Sequence, residues 1–298
     1  MLSALVAAAL TLGLGRAASA YCPATTCVTI GNEPNDPGVC GASGPEHANC
    51  ALKHWNRPCF SFNVQVNASR KIPYDKAHEL LFKSFAKWEN AVCPNGKNPA
   101  VHVDDLGPAK CDVVENPNVT NTANQNVMKF IDKDWYVGSP QVLAFTRVHS
   151  LKEQIVGADM EINATVDLSV DGNGDQDAYD LETILTHEVG HVFGLDHSGH
   201  VEATMYYAYG KDQIDLSDDD VQGICALFPP EGVGALSTCN PLPDHGWSSD
   251  CAKDQTAPSA YGCALSPGPS TPPRAAIALT AAAGLALGLR RRRARLKR

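Results

Sequence analysis

The strongest hydrophobic periodicity in the chain lies in residues 60–92. Apolar residues occupy every second position from Phe60 to Val66, with polar residues between them, which predicts a half-buried β-strand. After a short polar stretch, apolar residues recur at steps of three and four, which predicts an amphipathic helix over residues 75–92. The part of the chain with its own core is therefore expected to start near residue 59.

Shorter apolar runs predict four more strands and two more helices. The strands are expected at residues 101–103, 127–131, 142–148 and 155–162. One helix should start near Ala178. The other should start near Ser217, whose hydroxyl can cap it, and end at Pro229 and Pro230. Because strands come first and helices mostly later, the order predicts an α+β fold with a mixed sheet.

The N-terminal end has the features of a signal peptide. Residues 2–15 form an apolar run without a charge, and Ala18-Ser19-Ala20 follows as a site for a signal peptidase. We therefore expect residues 1–20 to be removed and the exported chain to begin at Tyr21. An N-terminal membrane anchor is the alternative, but the run is shorter than the ~20 residues that a span needs.

The C-terminal end combines Cys263, a spacer rich in Pro and Ser, an apolar run at residues 275–289 and a cluster of arginines from Arg290. This arrangement resembles the C-terminal sorting signals of myxobacterial surface proteins. The resemblance implies that the tail is removed and that Cys263 carries the surface anchor, and a plain tail anchor is the alternative. Either arrangement places the exported protein at the cell surface, in contact with the outer membrane only through this end.

Cysteine content and charge limit the possible functions, and the cysteines also divide the chain into segments. Eleven cysteines fit an oxidising compartment, where thiols can pair. They mark a cysteine-rich segment at residues 21–58 and a stalk rich in Cys and Pro at residues 231–273, which flank a domain at residues 59–230 and precede the tail at residues 274–298. The net charge of −9 argues against nucleic acid as a partner, because phosphate contacts need clustered cations. We expect a monomer.

One short motif carries the chemistry, and its members are His187, Glu188, His191, Gly194 and His197. On a helix, two histidines four residues apart project from the same face and can bind one ion. Glu188 then points toward the side of that ion where a water would lie. Gly194 lets the backbone leave the helix, and the turned chain brings His197 back as a third ligand. Three nitrogen ligands with one open position predict a catalytic zinc site.

The motif resembles that of the metzincin metallopeptidases, and Ser198 after the third histidine is similar to the matrixin branch. Met205 lies at the matrixin spacing for the turn beneath the zinc, where methionine forms an apolar floor and is not a ligand. The resemblance covers about residues 59–230. It implies a metzincin-like fold, with a mixed twisted sheet, an active-site helix and a C-terminal helix, and a zinc endopeptidase with Glu188 as general base.

The resemblance also implies a substrate site. Residues 157–163 are similar to the edge strand that lies antiparallel to the substrate in this family, and an exposed edge can pair with an extended peptide. Tyr207 stands where the family usually has Pro in its specificity pocket, whereas Tyr209 fits the pattern. His149 alone lies where vertebrate matrixins place the ligands of a second zinc, so one zinc is expected. Cys40 lies in a faint match to the family's latency motif, and we interpret it as a disulfide cysteine instead.

A weaker metal pattern precedes the active-site helix. Acidic or amide side chains occupy five positions of a calcium-loop pattern, namely Asp171, Asn173, Asp175, Asp177 and Glu182. Gln176 stands where that loop needs Gly, and a strand precedes it instead of a helix. The alternatives are a calcium site and a solvated acidic turn.

These observations predict an exported, surface-anchored zinc endopeptidase that binds its protein substrate as an extended strand. The alternative from another class is an adhesion or structural surface protein with a vestigial metal site. The long cysteine-rich flanks and the anchor suggest that alternative. The complete set of motif residues favours the enzyme.

Overall fold

The computed structural model describes residues 21, 23–24, 52–110, 125–171, 178–230, 240–242 and 246. The strands are β1 (His54–Trp55), β2 (Cys59–Gln65), β3 (His102–Ala109), β4 (Val127–Ile131), β5 (Ala144–Leu151), β6 (Gln154–Asn163), β7 (Leu168–Ser169) and β8 (Tyr179–Asp180). The helices are α1 (Tyr74–Glu89), α2 (Leu181–Phe193) and α3 (Asp218–Leu227). The predicted signal peptide and the predicted C-terminal tail lie outside these residues.

A six-stranded sheet organises the fold. Its strands follow the order β1-β6-β4-β2-β3, and β5 pairs with β6. β5 runs antiparallel to β6, whereas the other pairings in this sheet are parallel. β7 and β8 form a separate parallel pair. The mixed sheet, with two of the three helices after it in the chain, confirms the predicted α+β fold.

The assignment of residues 157–163 to the sheet edge is wrong. These residues belong to β6, which pairs with β5 along one side and with β4 along the other. Every residue of β6 except the first is buried. The exposed edge next to it is β5, which is partly exposed along its whole length. The resemblance alone gave the edge assignment, and the acidic residues of β6 do not face water, since Asp159 and Glu161 are each 3% exposed.

Both α1 and α2 pack on one face of the sheet. Phe60 of β2 meets Phe193 of α2 edge to face, with ring centroids 5.8 Å apart. Trp88 of α1 donates from Nε1 to the carbonyl oxygen of Thr186 in α2 at 2.8 Å. Phe60, Trp88 and Phe193 are fully buried, and burial of such a side chain stabilises a fold by ~1.5–3 kcal/mol. The packing fixes α2 firmly against the sheet.

Local capping explains where the helices begin and end. α1 stops before Asn90, three residues short of the predicted end, and leaves Val92 exposed. α2 begins at Leu181 and not near residue 178, because Asp180 Oδ1 accepts from the N–H of Thr183 at 2.8 Å. The predicted N-cap of α3, Ser217, is confirmed. β3 extends well past the predicted residue 103 because β2 supplies a parallel partner.

A disulfide joins Cys93, just after α1, to Cys225 in α3, across a sequence separation of 132 residues. Cys59 at the start of β2 is also disulfide-bonded. The cysteines predicted to staple residues 22–50 and the stalk lie outside the described residues. Within the described part of the chain, no helix is both long enough and apolar enough to cross a membrane.

Candidate metal centre and active site

The three predicted zinc ligands converge at the end of α2. His187 and His191 lie one turn apart on this helix, with ring centroids 4.9 Å apart. Gly194 ends the helix with φ of 104°, a left-handed conformation that favours glycine. The chain then turns, and the ring of His197 reaches 5.2 Å from His187 and 4.9 Å from His191. One nitrogen from each ring can lie within 4.8 Å of the other two, so one ion can contact all three.

The surroundings of these rings fit zinc. His187 Nδ1 lies 2.7 Å from the carbonyl oxygen of Thr204, and His191 Nδ1 lies 2.8 Å from that of Leu195. A carbonyl only accepts, so Nδ1 carries the proton in each ring and Nε2 keeps its lone pair for a metal. Burial lowers the pKa of His187 well below its usual value and that of His197 to about 4. Neutral imidazoles are the form that binds zinc.

Met205 lies against α2 at Gly190, between His187 and His191, and its role as an apolar floor stays a prediction. A Cβ on Gly190 would lie only 2.2 Å from Met205 Sδ, so the helix and the methionine touch at a position where only glycine fits. The turn that carries Met205 is pinned by the buried carboxylate of Asp220, which accepts from the N–H of Thr204 at 2.8 Å and from that of Met205 at 3.0 Å. Sequence analysis missed this role of Asp220, although its position three residues after Ser217 marks it as a member of a capping box.

Glu188 is buried beside the histidines, with 6% of its surface exposed. Its carboxylate oxygen Oε2 accepts from the hydroxyl of Thr146 at 2.6 Å. Burial raises the pKa of Glu188 above its usual value, while the nearby His191 and the hydrogen bonds from Thr146 oppose that rise. A carboxyl group with a raised pKa suits proton transfer near neutral pH. Thr146 was missed by sequence analysis because it lies on β5, far from the motif in the chain.

Of the two predicted pocket residues, Tyr209 lies close to the start of α2. Tyr209 accepts a hydrogen bond on its hydroxyl oxygen from the N–H of Asp180 at 2.9 Å and packs edge to face on Tyr179. Tyr207 contacts the ring of Tyr206, with centroids 4.6 Å apart. The segment after Met205 is therefore attached to the N-terminal end of the active-site helix. His149 lies elsewhere, on β5, with Nε2 at 3.3 Å from Asp159 Oδ2.

Glu182 does not serve as the twelfth position of the calcium pattern. Its Oε2 lies 2.7 Å from Lys83 Nζ and its Oε1 lies 2.6 Å from Lys87 Nζ, with 7% of the side chain exposed. Burial raises the pKa of this carboxyl group, but the two lysines outweigh burial and lower it. Each oxygen of this buried carboxylate already lies next to an ammonium group, which competes with any cation for it. Asn173, Asp175 and Asp177 lie outside the described residues, as do Cys40 and Cys263.

Comparison with known proteins shows that part of this chain is similar to the matrixins. The family model described as Matrixin matches residues 113–229, less than half of the chain. Metalloendoproteinase 2-MMP of Arabidopsis thaliana is 47% identical over 53 residues, which are 17% of this chain and 14% of that protein. Matrix metalloproteinase-16 of Homo sapiens is 40% identical over 66 residues, 21% of this chain and 11% of that protein. The probable matrix metalloproteinase 095L of Invertebrate iridescent virus 3 is 26% identical over 88 residues, 30% of this chain and 24% of that protein.

The fold, the histidine cluster and these matches together support a zinc metalloendopeptidase. Within that class, the domain in the matched region is matrixin-like. The chain spans less than a quarter of the length of these three relatives. The match begins at residue 113, whereas β2, α1 and β3 of the same sheet lie upstream of it. The predicted domain start at residue 59 stays a prediction.

Proposed function

We propose that this protein is an exported endopeptidase that hydrolyses peptide bonds in protein substrates with one zinc ion and with Glu188 as general base. The observation that carries the proposal is the convergence of His187, His191 and His197, with Nδ1 of the first two held by carbonyls, next to a buried carboxylate. A structural zinc site would use four protein ligands, whereas three ligands leave a position for chemistry.

The residues of the centre divide the work. Zinc bound by the three histidines would supply a Lewis acid, which acidifies water and polarises a carbonyl group. Glu188 takes the proton from the attacking water and passes it to the amine that leaves. Burial favours this role, because it raises the pKa of Glu188 and so brings it closer to the pH at which the enzyme would work. Met205 and Asp220 hold the turn beneath the histidines, so the ligands need not reorganise during the reaction.

The substrate is proposed to bind as an extended strand along β5. This strand pairs with β6 on one side, and its other side lies at the sheet edge among the described residues. Main-chain N–H and C=O groups on a free strand edge can pair with the main chain of a peptide whatever its side chains are. β5 also carries Thr146, so the peptide would lie within reach of Glu188.

The location and partners follow from the terminal segments of the sequence. A signal peptide at residues 1–20 would export the chain, and Cys263 with the tail at residues 274–298 would attach it to the outer cell surface as a monomer.

Calcium binding at Asp171, Asn173, Asp175 and Asp177 would lack Glu182 as a ligand, because Glu182 pairs with two lysines. A solvated acidic turn is therefore the better interpretation of that segment.

Zinc removal and one substitution test the proposal. The purified protein should carry one zinc and cleave an unstructured substrate such as casein, lose cleavage after treatment with a zinc chelator, and regain it with added zinc. Glu188→Ala should bind zinc but not cleave, since the general base is gone. A chain that binds zinc but cleaves nothing would support the vestigial surface protein instead. Substantial cleavage by Glu188→Ala would refute the role of Glu188.

A further inference from the structure

The edge strand contributes a hydroxyl group to the proposed active site. Thr146 in the middle of β5 donates to Glu188 Oε2 at 2.6 Å. The same hydroxyl lies 3.3 Å from the main-chain oxygen of Glu188. A hydroxyl has one proton, and a charged acceptor at the shorter distance forms the stronger bond. The carboxylate is therefore the main acceptor.

The direction of Thr146 follows from the sheet. Thr146 stands opposite Met160 of β6, a fully buried core residue. Successive strand residues point to opposite faces, so Thr146 faces α2, whereas Phe145 and Arg147 face away. The hydroxyl thus enters the interior at the level of Glu188 because of the β5–β6 register. A shift of the register by one residue would turn it to the other face.

A glutamate on a helix has several accessible side-chain rotamers, and proton transfer needs only one of them. In this structure the carboxylate of Glu188 is oriented by a donor from a different element. β5 thereby holds Glu188 at the strand that the proposed substrate would pair with.

We propose that Thr146 is a positioning residue for Glu188: its hydroxyl fixes Oε2, leaves Oε1 to receive the proton from water, and ties the base to the substrate-binding edge. This inference rests on the proposed function, because it takes Glu188 as the base. It predicts a defect in the chemical step and not in substrate affinity, because the hydroxyl contacts the base.

Three variants separate positioning from packing. Thr146→Val removes the hydroxyl at nearly constant volume, Thr146→Ser restores it, and Thr146→Ala removes it without the bulk of valine. As a matched control, Thr165→Val removes a hydroxyl that donates to Asn163 Oδ1 at 2.5 Å. All four chains are assayed with zinc for kcat and KM on a quenched fluorescent peptide, and for zinc content and melting temperature.

Thr146→Val and Thr146→Ala should lower kcat by about 10- to 100-fold, with KM changed less than about two-fold. Thr146→Ser should stay within about three-fold of the original kcat, and Thr165→Val should match the original chain. An unchanged kcat in both Thr146→Val and Thr146→Ala, or a rise in KM alone, would overturn the inference.

A measurement without catalysis distinguishes this inference from the proposed function. In zinc-free protein labelled with ¹³C at glutamate side chains, the Glu188 carboxyl signal is assigned by its loss in Glu188→Gln. It should move in Thr146→Val and return in Thr146→Ser. An unmoved signal rejects the hydrogen bond. Activity that survives in Glu188→Gln rejects Glu188 as the base, whatever the signal does.

Discussion

The two faces of the β5–β6 pair both bury carboxylates but surround them differently. On the face toward α2, Glu188 meets the neutral hydroxyl of Thr146 and the histidine cluster. On the opposite face, Asp159 and Glu161 are each 3% exposed. Asp159 faces His149 at 3.3 Å, and Glu161 accepts from the hydroxyl of Tyr136 and lies 3.9 Å from Arg147 Nη2.

This difference separates the carboxylate of the proposed general base from two structural carboxylates. Burial raises the pKa of both Glu188 and Asp159. For Asp159 the opposing groups, after burial, are His149, the N–H of Val127 and Arg147, all fixed parts of the sheet. Glu188 has a hydroxyl donor and the proposed ligand His191 instead. Asp159 is therefore satisfied by the fold itself, whereas Glu188 stays available for its proposed role as general base.

The largest difference in kcat between the two faces is expected when one carboxylate on each face is exchanged for an amide. Glu188→Gln should lower kcat by about 10²- to 10⁴-fold, because the amide cannot accept the proton from water. Glu161→Gln, an identical chemical change on the other face, should keep kcat within a few-fold. Peptide cleavage is measured for both chains at equal zinc content. Similar losses in the two variants would remove the functional distinction between the faces.

For folding stability the order of the two faces should be reversed, with the larger loss when the carboxylate of Asp159 is removed. Asp159→Ala leaves the buried N–H of Val127 without its acceptor, which lies at 3.0 Å, and should lower the free energy of unfolding by about 1–3 kcal/mol. Glu188→Ala should be neutral or stabilising, because it removes a buried carboxylate that is kept for activity. Urea unfolding of the zinc-free chains measures both without a contribution from metal binding. A greater loss of stability in Glu188→Ala would contradict the comparison.

A smaller effect is expected at Tyr136, whose hydroxyl donates to Glu161. Tyr136→Phe removes this donor while the ring remains, and should cost about 1 kcal/mol of unfolding free energy. Because Tyr136 is 58% exposed, water can partly replace its hydroxyl as a donor to Glu161. A double-mutant cycle with Glu161→Gln isolates the pair. No coupling between the two substitutions would mean that Arg147 and the rest of the sheet suffice to hold Glu161.

The convergence of the three histidines could be predicted from the sequence because the signal is local. His187, His191 and Gly194 follow helix geometry and helix termination, and both depend on neighbours in the chain. The α3 cap at Ser217 was predictable for the same reason. The end of α1 was not, because the apolar periodicity continues to Val92 after Asn90 has capped the helix.

The features that sequence analysis missed depend on long-range pairing. Nothing near Thr146 in the chain indicates Glu188, since the two meet only when β5 pairs with β6 and α2 packs over both. The partner of Cys93 is 132 residues away. The central position of β6 did leave a signal: residues 155–158 are uninterruptedly apolar or glycine, which is typical of a strand buried on both faces.

Histidines show the same contrast as carboxylates, and the smallest effect is expected there. His187 and His191 direct Nδ1 at carbonyl groups, whereas His102 on β3 places Nδ1 at 3.2 Å from Glu89 and Nε2 at 2.9 Å from Asp104. The hydrogen bond that the His102 ring donates to the carboxylate of Glu89 raises the pKa of His102 more than any other interaction.

The pH dependence follows from the sign of that shift. A raised pKa in the folded state adds stability below the unfolded value of about 6.5, and this stability is lost as pH rises through the folded value. The side chain of His102 is 44% exposed, so solvent screening should limit the effect to less than about 1 kcal/mol. The unfolding free energies of the original chain and of His102→Gln are compared at about pH 5.5 and about pH 9. Their difference should shrink at the higher pH, because His102 is then neutral and no longer attracted by two carboxylates. A difference that grows with pH would mean that His102 is neutral in the folded protein, the form that a lowered pKa favours for His187 and His197.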